Sequence, residues 1–79
     1  MTENHDILVV IGENLRRNRK RVRKSQDCLA DECQMSRTYL GAIERGEANP
    51  TAACLVRLSK VLRIQVYELL IRPPVEHDR

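Results

Sequence analysis

The sequence predicts an all-α fold of five short helices. Three observations carry this. The chain has no Phe and no Trp, so its core must come from Leu, Ile, Val, Ala and Met, which favours helices over a sheet with its aromatic-rich strands. Its apolar residues recur at intervals of three and four, the period of a helix with one buried face. Short polar residues of the kind that cap helices, Ser25, Ser36 and Thr51, stand just ahead of successive apolar-periodic segments.

The first helix is expected over 7–22, with Leu8, Ile11, Leu15 and Val22 on its inward face. Residues 1–6 read as a polar, flexible tail. Ser25 caps a second helix, Gln26–Cys33, with Leu29, Ala30 and Cys33 inward. Gln34 and Met35 form a tight connection. Ser36 caps a third helix, Arg37 to about Glu44, with Leu40 and Ile43 toward the core. Gly46, Asn49 and Pro50 mark a loop. Thr51 opens a fourth helix to about Leu62, with Leu55, Leu58 and Leu62 inward. A short fifth helix, Val66–Ile71, stops at Pro73 and Pro74, and 73–79 read as a second flexible tail. Residues 7–72 therefore form one unit, and 79 residues allow no more than one domain. A core this small leaves little stability to spare, so dimerisation is expected.

Composition narrows the function classes. The longest apolar run, Ile7–Ile11, is too short to cross a membrane and lacks the flanks of a signal peptide. A cytoplasmic protein is expected. Cys28, Cys33 and Cys54 are odd in number and lack metal-ligand spacing. They read as reduced small hydrophobes, and no metal or cofactor is expected. His5 and His77 fall in the tails, no Gly-rich phosphate loop exists, and Asp31, Glu32, Glu44 and Glu47 read as helix-surface or loop charges. No catalytic constellation results, so an enzyme is not expected.

The net charge is +3, and its distribution says more. Seven of the nine residues from Arg16 to Lys24 are basic, with no acid among them. Such a run is often a solvated helix face, but it also attracts phosphate whatever the base sequence. Arg21 and Lys24 are its candidate phosphate contacts. Two short helices joined by a tight turn inside a small helical chain form a helix-turn-helix arrangement, which occurs both in DNA-binding domains and in bundles that never touch DNA.

The stretches Ser25-Gln26-Asp27-Cys28-Leu29-Ala30, Met35-Ser36-Arg37-Thr38-Tyr39-Leu40, Ile43-Glu44-Arg45-Gly46 and Asn49-Pro50-Thr51 closely resemble the lambda-repressor/Cro-like (XRE-type) helix-turn-helix family. The likeness continues through Leu55–Leu62 and Tyr67–Leu70 and covers residues 8–71. Within the family, Arg37-Thr38-Tyr39, a small pair and Ile43-Glu44-Arg45 look most like the controller proteins of restriction–modification systems. Small phage-type or chromosomal repressors share much of the pattern, as do antitoxins that bind a protein as well as DNA.

The resemblance implies a sequence-specific DNA-binding regulator acting as a homodimer on a palindromic operator, with no small-molecule ligand. It implies that helix three enters the major groove, with Arg37, Thr38 and Ala42 toward the bases. Gln26 is then expected at a phosphate and against helix three, and Arg45, with Asn49 in the loop behind it, at further phosphates. Arg19 and Glu44 match a pair that bridges helices one and three. Val66, Tyr67, Leu70 and Ile71 match a two-fold interface, although the same residues could simply close the domain's own core. Chemistry adds that Arg37 can fork onto a guanine edge and that Thr38 can offer a methyl or a hydroxyl. Ser36 can bring helix amides to phosphate. Tyr39 either meets DNA or packs half-buried. Three positions depart from the family pattern. Gln34 stands in the tight turn where Gly is usual, which implies positive φ at a cost of about 1 kcal/mol. Arg63 replaces a Gly after helix four. Asn18 replaces an apolar residue, and either weakens the core or hydrogen-bonds within it.

Overall fold

A computed structural model of the chain describes residues 3–72. Among the described residues it forms five helices and no strand: α1 Glu3–Arg21, α2 Gln26–Glu32, α3 Arg37–Glu44, α4 Ala52–Leu62 and α5 Tyr67–Leu70. Met1, Thr2 and residues 73–79, which include Pro73, Pro74 and His77, lie outside the described residues. α1 opens at Glu3, ahead of the expected Ile7. α5 is shorter than expected at both ends.

Local chemistry sets the boundaries. Ser25, Ser36 and Thr51 are extended N-caps whose side-chain oxygens accept from the amides of Cys28, Tyr39 and Cys54 at 3.0, 3.0 and 3.1 Å. Each such cap is worth about 1 kcal/mol. α1 to α4 all end in the same way. A residue with left-handed φ follows each helix: Arg23 (62°), Gln34 (60°), Gly46 (76°) and Arg63 (61°). The next amide then reaches back five residues. Lys24 donates to Arg19, Met35 to Ala30, Glu47 to Ala42 and Ile64 to Ser59, all at 2.9–3.1 Å. This is the Schellman closure. Gln34 and Arg63 thus adopt the backbone that a missing glycine implied, and Arg23 does so without any such signal.

The core draws on every helix: Ile11 and Leu15 from α1, Leu29, Ala30 and Cys33 from α2, Leu40 and Ile43 from α3, Cys54, Leu55, Leu58 and Leu62 from α4, and Leu69 from α5. Of the expected inward face of α1, Leu8 and Val22 are only half-buried, while Val10 is buried. α1 packs against both α3 and α5, and α2 against α3 and α4. A Cβ on Gly12 would lie 2.5 Å from the carbonyl oxygen of Glu44 and 2.6 Å from that of Ile43. The bare Cα is therefore what lets α1 approach the end of α3.

Two asparagines lie on the buried face of α1. Asn18 donates to the Asn14 carbonyl at 2.9 Å and accepts from Arg21 at 3.2 Å, so it is satisfied inside the fold. Asn14 donates to the carbonyls of Leu69 at 3.0 Å and Ile71 at 2.8 Å, and accepts from Arg17 at 2.8 Å. This side chain ties α5 to α1. No helix among the described residues is long and apolar enough to cross a membrane.

Candidate nucleic-acid interface

α2 and α3 are joined by Cys33, the left-handed Gln34, Met35 and the N-cap Ser36. Arg37 and Thr38, in the first turn of α3, are exposed, and Ala42 one turn later is half-buried. Gly41 between these turns is buried, and a Cβ there would sit 3.1 Å from the Arg45 guanidinium and 3.9 Å from the Gln26 amide nitrogen. The missing side chain lets Gln26 and Arg45 lie close against α3. Tyr39 is half-buried and packs against the core, the plainer of its two expected roles. Asn49 is exposed in the α3–α4 loop.

Behind this surface is a charged brace. Arg19 Nε donates to Glu44 Oε2 at 2.6 Å, and its NH2 to Oε1 at 3.1 Å. The third nitrogen, NH1, donates to the Lys24 carbonyl at 2.9 Å. Gln26 Nε2 completes the set, donating to Glu44 Oε1 at 2.9 Å. Glu44 is not the surface charge its position in the sequence suggests: its side chain is 4% exposed, because Arg19 and Gln26 cover the carboxylate. The expected Arg19 and Glu44 thus meet as a bidentate pair, and one carboxylate fixes the end of α3, α1 and the first residue of α2 together.

The remaining cations are not equivalent. Arg21 donates to the Leu62 carbonyl at 3.0 Å and so closes the end of α4. Arg57 does the same for α2, donating to the Cys33 carbonyl at 2.9 Å. Lys24 lies 3.0 Å from Glu32, and that hydrogen bond holds its ammonium above the ordinary lysine pKa. Arg21 and Lys24 thus each have an internal partner, and each keeps N–H donors that this partner does not use. Arg37 pairs with Asp27 at 3.4 Å and Arg45 with Glu47 at 3.0 Å, both in the open.

Against the middle of α1, at Asn14, α5 divides in two. Leu69 is fully buried and Val66 and Leu70 pack partly against the core, while Tyr67 and Ile71 are 59% and 53% exposed. Both expected roles of this helix are therefore open to it: it closes the core and still shows apolar surface. Cys28 is an exposed free thiol, and Cys33 and Cys54 are buried free thiols. Burial pushes the Cys33 thiol up to about 11, and the Cys54 thiol up from its usual range. Among the described residues no three His, Cys, Asp or Glu side chains are grouped to hold a metal ion.

Asn14 and Gly12 were missing from the expected site and framework. Asn14 could have been found, because it shares the helical phase of Ile11, Leu15 and Asn18. A glycine inside a helix, which costs about 1 kcal/mol against Ala, is itself a sign of close packing.

Five helices around an α2–turn–α3 unit with an exposed, cation-bearing α3 define a helix-turn-helix domain. Residues 15–69 match the family model described as helix-turn-helix, and the chain belongs to that family. It is 36% identical to control protein C.SmaI of Serratia marcescens over 94% of this chain and 88% of that one. It is 38% identical to control protein C.BamHI of Bacillus amyloliquefaciens over 89% and 85%. Among solved structures it resembles the restriction–modification controller protein C.AhdI from Aeromonas hydrophila, with a TM-score of 0.76 and 35% identity over 78% of this chain and 94% of that chain.

Proposed function

We propose that the protein is a cytoplasmic DNA-binding transcriptional regulator of the restriction–modification controller kind, acting as a homodimer on a palindromic operator. The observation that carries this reading is the exposed first turn of α3, Arg37 and Thr38, on a helix whose other end is braced by Glu44. A base-reading side chain needs both features: freedom at its tip and a rigid base.

Arg37 presents its fork to a guanine edge, a contact worth about 1–3 kcal/mol of discrimination. Thr38 and Ala42 line the same groove face. Gln26, Ser36, Arg45 and Asn49 hold phosphates and set the register, adding affinity but little sequence information. Arg21 and Lys24 join them through the N–H groups that their internal partners leave free. Val66, Tyr67, Leu70 and Ile71 meet their counterparts across a two-fold axis, placing half-site centres about 34 Å apart. Residues 7–72 form the working unit. Occupancy follows protein concentration through dimerisation, without a metal, cofactor or small-molecule effector.

The test is a gel shift with DNA from immediately upstream of the protein's own gene, against random competitor at physiological salt. Specific retardation at nanomolar protein supports the reading. Binding that random DNA competes away equally well counts against it. Light scattering tests the dimer, and a monomer at tens of micromolar with and without DNA refutes it.

A further inference from the structure

Two cations on the proposed DNA surface carry an acid of their own. Arg37 Nε lies 3.4 Å from Asp27 Oδ1, and Arg45 Nε lies 3.0 Å from Glu47 Oε1. All four side chains are more than half exposed. Exposed pairs of this kind add little to folding stability. Placed where a polyanion is to dock, each carboxylate also opposes binding, because it cancels a cation that would otherwise release a counterion.

We propose that Asp27 is a specificity-determining residue, positioning Arg37 for a base and withholding it from phosphate. The inference rests on α3 being the DNA-reading helix. Arg37 is the first residue of α3 and Asp27 lies in the first turn of α2. The turn between them is fixed by Gln34 and by the Met35–Ala30 hydrogen bond at 2.9 Å. The fold thus brings the two side chains within reach of each other.

The contact at Nε leaves the two terminal nitrogens of the guanidinium free. Those two match the O6 and N7 acceptors of guanine, which need a planar fork at a fixed angle. A free arginine must give up rotamer entropy to reach that angle, and a carboxylate beside Nε narrows the rotamers the side chain samples. On a sequence without guanine at this place, the pair brings no net charge to the DNA. Asp27 thus lowers affinity for wrong sequences more than for the right one. Arg45 is a different case: a phosphate needs only charge nearby, so Glu47 tunes overall affinity without touching base choice.

The experiment selects duplexes from a randomised library with the wild type, Asp27→Asn, Asp27→Glu and Glu47→Gln, and sequences those retained. Affinities for the selected duplex and for a mixed-sequence duplex are then measured over a range of salt. The wild type enriches a guanine at one position of each half-site. Asp27→Asn loses that preference several-fold at this position alone, binds the mixed-sequence duplex about threefold more tightly, and steepens the logarithmic salt slope by roughly one. Asp27→Glu retains the guanine. Glu47→Gln tightens binding to every duplex and keeps the base preference. Unchanged preference and affinity ratio in Asp27→Asn overturn the proposal, as does loss of the same guanine in Glu47→Gln. A wild type that enriches no sequence refutes the DNA-reading role itself, and this inference with it. A wild type that enriches a site which Asp27→Asn reads identically refutes only the role of Asp27.

Discussion

Replacing Glu44 by Ala tests how α3 is held. Three hydrogen bonds end on this carboxylate, two from Arg19 and one from Gln26, at 2.6–3.1 Å. The side chains of Arg19 and Glu44 are 11% and 4% exposed, so the pair is nearly out of water. Removing one partner of a buried pair leaves the other charge uncompensated, at a cost of about 3–5 kcal/mol. Arg19 keeps its bond to the Lys24 carbonyl and a little solvent. The expected loss is therefore at the low end, about 3 kcal/mol. A domain of this size has roughly 4–12 kcal/mol in all. The variant should unfold at a much lower urea concentration and melt roughly 12–24 °C lower. The assay is urea denaturation followed by helical circular dichroism, at one fixed protein concentration so that dimerisation does not move the midpoint. The double variant Arg19→Met/Glu44→Leu removes both charges. Its loss should fall short of the sum of the single losses by 1 kcal/mol or more. A loss below 1 kcal/mol for Glu44→Ala, or additive losses in the cycle, would refute the reasoning.

Gly12→Ala sets two effects against each other. Helix propensity favours Ala by about 1 kcal/mol, but the new Cβ would meet two backbone carbonyls of α3 at 2.5–2.6 Å. A net loss near 2 kcal/mol in urea is expected, and a gain would show that the α1–α3 contact is loose. Gln34→Gly relieves a left-handed residue (φ 60°) and should raise stability by about 0.5–1 kcal/mol in the same assay. A loss would mean that the Gln34 side chain matters more than its backbone. For the thiols, a disulfide reagent should modify Cys28 promptly in the folded protein, with Cys33 and Cys54 following only on unfolding. Because the Cys33 pKa is raised from 9.0 to about 11, its neutral form favours folding below pH 9. That contribution, at most on the order of 2 kcal/mol, is lost as pH rises from 9 through 11. Cys33→Ala should flatten the alkaline slope, and an identical slope would exclude Cys33 as its source.

The fold was legible where its determinants are local. α2, α3 and α4 begin where Ser25, Ser36 and Thr51 place them, because one side chain and one amide three residues on decide the matter. α5 was drawn too long because its start has no such cap. Instead Glu68 turns back and accepts from the Gln65 amide at 2.8 Å, half of a capping box. Apolar periodicity alone places the start of α1 at Ile7, four residues after Glu3. The left-handed turns divide in the same way. Gln34 and Arg63 were readable because a glycine is usual there, whereas Arg23 sits in a run of cations whose composition says nothing about φ.

The site was less legible, and the basic run shows why. In sequence, Arg16 to Lys24 is seven interchangeable charges. In the fold they separate by what each can reach. Arg19 is committed to Glu44, 25 positions away, and Arg21 to the Leu62 carbonyl, 41 positions away. Arg17 is held by Asn14 and Lys24 by Glu32. The side chains of Arg16, Lys20 and Arg23 form no hydrogen bond or ion pair with a described residue. The carbonyl partners come from helix C-termini, whose partial negative charge attracts a guanidinium as the end of a dipole does. No local pattern announces such a contact, since the donor and the helix end are far apart in the chain. Counting basic residues therefore overstates the charge that is free for DNA. The run gives α1 a structural side and an electrostatic side, and only the tertiary packing decides which arginine belongs to which.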